Sequence, residues 1–355
     1  MGRKVLIAMS GGVDSSVAAL KLIENGYSPI GVTLKMWHPA GDKHLENSIK
    51  KAEEICRKLN IPHEVVDVHS DFEKQIIQNF IAEYLSGTTP NPCVYCNKQI
   101  KWKTLIDLAS KMEIEFVATG HFAIIFHNES TSRYEIRKGL DFLKDQSYAL
   151  WQLSQYDLRK TILPLGNIRK SEVIEIAKKN GLFLDDISES QDICFIPNNN
   201  YRNFLAVYVP ERIRKIGRGE ITDEEGNVLG YHEGFYNFTI GQRKGFKMGF
   251  SGRRYVKQID ALNNRIVISK EQGLYRSEMV LNRINWISSS SASSLEGTIK
   301  IRYNHPGTKC YVETYGSDML KVKFNEPQRA VTPGQSAVLY QGDKLIFGGI
   351  ITTKK

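Results

Sequence analysis

The chain has 355 residues, of which 41% are hydrophobic and 25% charged, with a formal net charge of +9. This composition excludes a disordered or fibrous chain, and the length exceeds what one average core fills, so two or three domains are expected. No apolar run approaches the roughly 18 residues of a spanning helix, and Met1-Gly2-Arg3-Lys4 enters a strand-like segment instead of a signal-peptide core. No membrane role and a cytoplasmic location are therefore expected, and the excess positive charge suits a polyanionic partner.

In chain order, the strand-like run Val5–Met9 leads directly into Ser10-Gly11-Gly12-Val13-Asp14-Ser15-Ser16, and a helical pattern (Val17, Leu20, Leu22, Ile23) follows at once. Two glycines let a backbone turn sharply and approach a ligand closely, and the N–H groups opening the helix suit a phosphate. An ordinary turn capped by Asp14 or Ser15 needs fewer such residues. The chain holds neither Gly-x-x-x-x-Gly-Lys-Ser/Thr nor Gly-x-Gly-x-x-Gly, so a Walker loop and a dinucleotide fingerprint are both absent. Further strand-like runs at Ile30–Leu34, Glu64–Val68 and Phe116–Thr119 alternate with helical patterns near 14–25, 46–60, 72–86 and 98–112. Alternation of this kind predicts an α/β domain, a Rossmann-like parallel sheet with helices on both faces. Ligands bind such sheets beyond the carboxyl ends of strands, where the 10–16 turn, Leu34 and Gly120-His121 fall.

Before the fourth helical pattern comes Pro90-Asn91-Pro92-Cys93-Val94-Tyr95-Cys96-Asn97. Asn97 is expected to cap the helix over 98–112, which sets Cys96 near a helix N-terminus beside Lys98 and Lys101 and favours its thiolate. Helical patterns return at 146–153 and 169–180; an acidic stretch, Asp185–Asp192, then leads into Ile193-Cys194-Phe195-Ile196. The segment 185–200 is expected to be mobile and to close over the site. Cys56 and Cys310 lie inside a helix and a strand pattern and are expected to be structural. For Cys93, Cys96 and Cys194 three chemistries stay open: zinc with a further ligand such as His121, a redox pair, or one thiol carrying sulfur and another resolving the intermediate.

We end the first domain at residue 200. Over 201–277 glycine becomes frequent and strands shorten, a central β-rich domain; over 278–355 successive strands predict a small β-barrel. The strands are Met279–Trp286, Thr298–Tyr303, Cys310–Tyr315, Leu320–Phe324, Ser336–Tyr340 and Leu345–Ile351, with Ser288–Ser294 a loop. The segment Tyr236–Lys257 carries Arg243, Lys244, Lys247, Arg253, Arg254 and Lys257 with Tyr236, Phe238, Phe246, Phe250 and Tyr255 between them and no acid. Bases paired with phosphates and aromatics stacked on unpaired bases make this mixture suit RNA.

The turn SGGVDSS resembles the pyrophosphate loop of the ATP pyrophosphatase superfamily. With NPCVYCN, Gly120-His121, LKDQSY at 143–148 and SQDICFI following in order, the chain resembles the tRNA-specific 2-thiouridylase family over nearly its whole length. The resemblance implies an adenine nucleotide alpha hydrolase-like fold and an enzyme that replaces the 2-oxygen of the wobble uridine of certain tRNAs, such as those for Lys, Glu and Gln, with sulfur. ATP with Mg²⁺ would activate the oxygen, and a sulfur carrier protein would supply a persulfide. By the same resemblance Ala8, Met9, Ser10, Gly11, Gly12, Val13, Asp14, Ser15, Leu34 and Gly120 hold ATP. Cys96 matches the nucleophile and Cys194 the persulfide carrier. Asn91, Pro92 and Cys93, with Lys144, Asp145 and Gln146, match segments that hold the target base and anticodon loop. His121, Arg302, Tyr303 and Gln335 match further tRNA contacts. Cys93 departs from the pattern, since its position is commonly an aspartate, and three thiols admit a [4Fe–4S] cluster. Two other readings are a ligase of this superfamily acting on another acceptor and a non-catalytic RNA-binding protein with a structural metal.

Overall fold

The structure, a computed structural model, describes residues 2–37, 44–182, 193–246 and 252–353. The first part runs β1 (Arg3–Ala8), α1 (Val13–Glu24), β2 (Tyr27–Lys35), α2 (His44–Lys58) and β3 (His63–Asp67). Then α3 (His69–Phe72) passes through a π segment, Glu73–Ile77, into α4 (Gln78–Leu85); α5 (Pro92–Cys96) likewise passes through Asn97–Trp102 into α6 (Lys103–Lys111). After β4 (Phe116–Ala118) come a hairpin of β5 (Ala123–Asn128) and β6 (Arg133–Lys138), then α7 (Gln155–Arg159), β7 (Thr161–Ile162) and α8 (Lys170–Lys179). The pattern at 146–153 is a single 3-10 turn, Ser147–Leu150, because its buried Ser147, Tyr148 and Leu150 face different neighbours and not one helical stripe.

Five parallel strands form a sheet of order β3-β2-β1-β4-β7. Side chains alternate along β1: Val5 and Ile7 join residues of α1, α2 and α8, whereas Leu6 joins those of α3 to α6. Burial on both faces explains why the strand reads as a continuous apolar run. The chain order reverses between β1 and β4, and the crevice beyond their carboxyl ends is where such sheets hold ligands.

From residue 201 two helices precede the strands of the expected β-rich part. The helices are α9 (Tyr201–Tyr208) and α10 (Pro210–Ile216). Phe204 and Tyr208, one turn apart, both meet Trp37 edge-on, at 6.0 and 5.7 Å. Then β8 (Gly219–Thr222), β9 (Val228–His232), β10 (Tyr255–Asp260) and β11 (Arg265–Ser269) form a sheet of order β10-β11-β8-β9.

The last part holds β12 (Tyr275–Trp286), β13 (Ser294–Lys300), β14 (Thr308–Tyr315), β15 (Met319–Arg329), β16 (Ser336–Gln341) and β17 (Lys344–Thr352). Because β12 pairs with both β15 and β17, these six strands close into a barrel around Leu281, Ile299, Val312, Val322 and Phe347. The β5–β6 hairpin of the first part extends this sheet, with Lys344 opposite Arg137 and Leu345 opposite Ile136. The seam is polar as well: Tyr148 Oη donates to Ser336 O (2.8 Å), Trp151 Nε1 to Ser336 Oγ (3.0 Å), and Asn285 Nδ2 to Trp151 O (2.7 Å). Among the described residues no helix is long and apolar enough to cross a membrane.

Candidate active site

At the carboxyl end of β1 the backbone turns through Gly11, whose φ of +75° lies in the left-handed region and where a Cβ would stand 2.6 Å from Ser48 O. The serines fold the turn onto itself. The Ser10 N–H donates to Ser15 Oγ (3.2 Å), while Ser15 Oγ and Ser16 Oγ donate to Gly12 O (2.9 and 2.8 Å). Gly12 occupies the cap position of α1 with no side-chain cap, so no side chain covers the opening N–H groups there. Asp14 and Ser15 are thus not caps. Asp14 instead accepts from Lys170 Nζ (2.5 Å), a buried lysine opening α8 from 156 residues away. No local pattern in the sequence singles out Lys170. The loop after β4 lies against the same turn: a Cβ on Gly120 would come within 2.9 Å of Asp14 C and 3.0 Å of Ser15 N. Leu34 is the next-to-last residue of neighbouring β2, whose Val32 O accepts from Met9 N–H (2.8 Å). The residues expected to hold ATP therefore meet at the ends of three neighbouring strands.

The cysteine pair lies in a longer helix than expected. Asn91 caps α5 by accepting from Val94 N–H (3.5 Å), and Pro92 takes the first helical position, where a missing N–H is harmless. Asn97 is not the cap; it is buried within the continuing helix and donates to Ala149 O (3.0 Å). Cys96 is buried, and its thiol is pushed up to about 12 by burial, against the pull of the Lys101 ammonium. Lys98 is engaged by Asp157. The expected thiolate-favouring setting is thus overturned, because desolvation outweighs the nearby cation. Cys93 and Cys194 are exposed at the surface, yet the protein around them displaces enough water to raise both thiols, Cys194 to about 11.

Cys93 and Cys194 both act on Cys96, and Lys101 acts on all three thiols and on His121. Cys194, about 100 residues further along the chain, thus shares one neighbourhood with the Cys93–Cys96 pair. Burial and Lys101 hold His121 down to about 3, so its imidazole is neutral; Nδ1 lies 2.8 Å from Thr119 Oγ1 and the ring 5.3 Å from that of Trp102. Cys194 is placed by its successor. Phe195 is buried between Phe72, Phe80 and Phe204, with ring centroids 5.7, 5.3 and 5.5 Å away. Of the segment 185–200 expected to be mobile, Phe195 and Ile196 are buried in the core and 197–200 are exposed, while residues 185–192, including Gln191 and Asp192 of the SQDICFI motif, lie outside the described residues. Cys56 and Cys310 are buried core residues, as expected of structural thiols.

Of the residues expected at tRNA, several bond inward. Asp145 is buried and accepts from Gly139 N–H (3.1 Å), Ser147 N–H (3.1 Å) and Ser147 Oγ (2.9 Å). Gln146 Oε1 accepts from Phe122 N–H (3.0 Å), and Gln335 Nε2 donates to Thr89 O (2.9 Å) and Pro90 O (3.1 Å). Tyr148 bonds Asn91 as well as Ser336, joining the barrel seam to the cysteine helix. Lys144 is half-buried, whereas Arg302 and Tyr303 are exposed. In the basic segment, Tyr236, Phe238 and Tyr255 are buried core and not stacking platforms, Phe246 stacks on Phe238 (5.8 Å), and Lys257 pairs with Glu224. Arg243, Lys244 and Arg253 are exposed, and Lys247 and Phe250 lie outside the described residues.

Among the described residues no group of three His, Cys, Asp or Glu is arranged to hold a metal ion. At the phosphate turn one oxygen of the Asp14 carboxylate is engaged by Lys170.

Residues 3–198 match the family described as tRNA methyl transferase HUP domain, 202–270 its PRC-barrel domain, and 276–351 an aminomethyltransferase beta-barrel domain. The chain is similar along its whole length to the tRNA-specific 2-thiouridylase MnmA of Natranaerobius thermophilus, at 42% identity with both chains fully covered. It is 41% identical to MnmA 1 of Caldanaerobacter subterraneus (100% of this chain, 99% of the relative) and 42% to MnmA of Cytophaga hutchinsonii (98% and 97%). Two of the domain descriptions speak of methyl transfer, but likeness through all three parts of the chain decides for the relatives' name. The chain belongs to the tRNA-specific 2-thiouridylase family.

Proposed function

We propose that this chain is an ATP-dependent tRNA-uridine 2-sulfurtransferase acting on the wobble uridine. A carbonyl oxygen is a poor leaving group. Transfer of AMP from ATP to the uridine 2-oxygen makes it a good one and releases pyrophosphate, for which the 10–16 turn offers N–H groups and serine hydroxyls. Mg²⁺ bound to the triphosphate supplies charge neutralisation. Lys170, held on Asp14, adds a buried positive charge at the same turn. Sulfur arrives as a persulfide on Cys194, loaded by a carrier protein. The Cys96 thiolate attacks the inner sulfur, a Cys96–Cys194 disulfide forms, and the outer sulfur departs with the bonding pair. That sulfur adds at C2 of the uridine, AMP leaves, and a thiol reductant reopens the disulfide.

The raised Cys96 thiol is protonated in the free protein, so it must lose a proton before it attacks the Cys194 persulfide; Lys101 is the cation in place to favour this. In this reading residues 1–200 carry nucleotide and chemistry, 201–277 bind tRNA through Arg243, Lys244 and Arg253, and the barrel of 278–355 brings Arg302, Tyr303 and Gln335 to the anticodon loop, in the cytoplasm. The observation that carries the reading is that the Cys93–Cys96 helix and the sequence-remote Cys194 meet around one ammonium, Lys101, together with His121, next to a Gly120 that abuts the phosphate turn.

Mass spectrometry of nucleosides from unmodified tRNA incubated with enzyme, ATP and a persulfide donor tests it. ATP-dependent 2-thiouridine is expected; absence of that product, or product without ATP, refutes the reading. Anaerobic purification with iron analysis separates the two-thiol route from a cluster-based one.

A further inference from the structure

Just ahead of Lys144, Asp145 and Gln146, two exposed side chains, Phe142 and Leu143, have no role assigned above. Between β6 and the 3-10 turn, the loop Leu140-Asp141-Phe142-Leu143 exposes Phe142 to 75% and Leu143 to 93%. Such exposure on a floppy loop means little. This loop is pinned. Leu140 N–H donates to Gly166 O (2.8 Å), Leu143 N–H to Asp141 Oδ1 (3.2 Å) and Lys144 N–H to Asp141 O (3.0 Å). The other carboxylate oxygen of Asp141 accepts the backbone N–H of Lys170 (3.0 Å), whose ammonium holds Asp14 in the phosphate turn. Two large apolar side chains are thus thrust into water by a backbone fixed to the rim of the nucleotide crevice. Lys144 follows directly, and Gln146 beyond it is bonded to Phe122 in the loop after β4.

We propose that Phe142, backed by Leu143, is a stacking wedge for an unpaired base of the tRNA beside the target uridine. The proposal rests on the tRNA reading above. An aromatic face meets any base without reading its edges, and a rigid, already exposed ring loses little freedom on binding. An RNA base is favoured over a protein partner by the setting: the wedge stands on the rim of the crevice that receives the nucleotide, in a chain of net charge +9.

The test compares wild type with Phe142→Ala, Phe142→Trp and the double variant Phe142→Ala/Leu143→Ala, using an unmodified lysine tRNA transcript. Base–aromatic stacking is worth about 1–3 kcal/mol, so Phe142→Ala is expected to weaken tRNA binding by roughly 5- to 150-fold. The slope of log affinity against log salt should stay unchanged, because no phosphate contact is lost. Phe142→Trp should restore affinity, the KM for ATP should not move, and the exposed positions should leave the melting temperature where it was. Unchanged tRNA affinity in the double variant overturns the proposal. So does unchanged affinity with slowed sulfur loading from the persulfide donor, which would make the wedge a protein-docking element. If wild type itself fails to release pyrophosphate in response to tRNA, the functional reading fails instead, a result separable from equal behaviour of wild type and variants.

Discussion

The phosphate turn and the thiol pocket lie on one rim of one sheet but are built in opposite ways. The turn is made from seven consecutive residues and closes mainly through its own serines and Gly12. The pocket is gathered from three distant places: Asn91–Cys96 by a helix cap and by Gln335 of the barrel, Cys194 by the aromatic anchor of Phe195, and His121 by the loop after β4. A locally encoded element survives changes elsewhere; a gathered one depends on the packing of the whole chain. The sulfur chemistry is therefore the more fragile half of the reaction.

The sharpest separation comes from Cys194→Ser. It should abolish 2-thiouridine formation while tRNA-dependent pyrophosphate release persists, and thiolated product from this variant would end the persulfide role. Phe195→Ala removes a fully buried ring at a cost of about 3–5 kcal/mol in stability. It should cut thiolation far more than ATP binding, as read by thermal melting and product yield; equal losses would show that the pocket does not depend on this anchor. Gly120→Ala forces a Cβ to 2.9 Å from Asp14 C, so it should strike the other half, raising the KM for ATP about tenfold or more with thiol reactivity unchanged. Gln335→Ala frees the carbonyls of Thr89 and Pro90 and should cost about 1–3 kcal/mol, lowering kcat for thiolation with little effect on nucleotide binding.

The smallest effect concerns pH. Cys96 sits at about 12 in the folded chain against 9.0 ordinarily, so above pH 9 the unfolded state loses a proton that the native state keeps. Stability should be unaffected below pH 9 and fall as the pH climbs from there toward 12. Cys96→Ser should flatten that fall in urea titrations at successive pH values; an unaltered slope would place this thiol in water.

The sequence made the α/β alternation, the phosphate turn and the barrel strands legible because each is written in neighbouring residues as a period or a short motif. The cysteine helix starts six residues earlier than its pattern suggests: Asn97 has the composition of a cap, but Asn91 followed by Pro92 makes a better one, and the buried Asn97 amide finds Ala149 instead. The thiol acidity was misjudged because lysines are visible in a sequence and desolvation is not. Lys170 escaped notice for the same reason as the β5–β6 hairpin's destination, since their partners lie 156 and about 200 positions away. The inward bonding of Asp145, Gln146 and Gln335 shows that a side chain at a binding surface is often busy holding that surface in shape.

That hairpin has a consequence for how the protein comes into being. Arg137 and Ile136 wait for Lys344 and Leu345, which are synthesised about 200 residues later. Until then β6 presents an unpaired edge, and the six-stranded ring cannot shut. A nascent chain cut short before β17 should be a sticky, protease-sensitive species, not a smaller working enzyme.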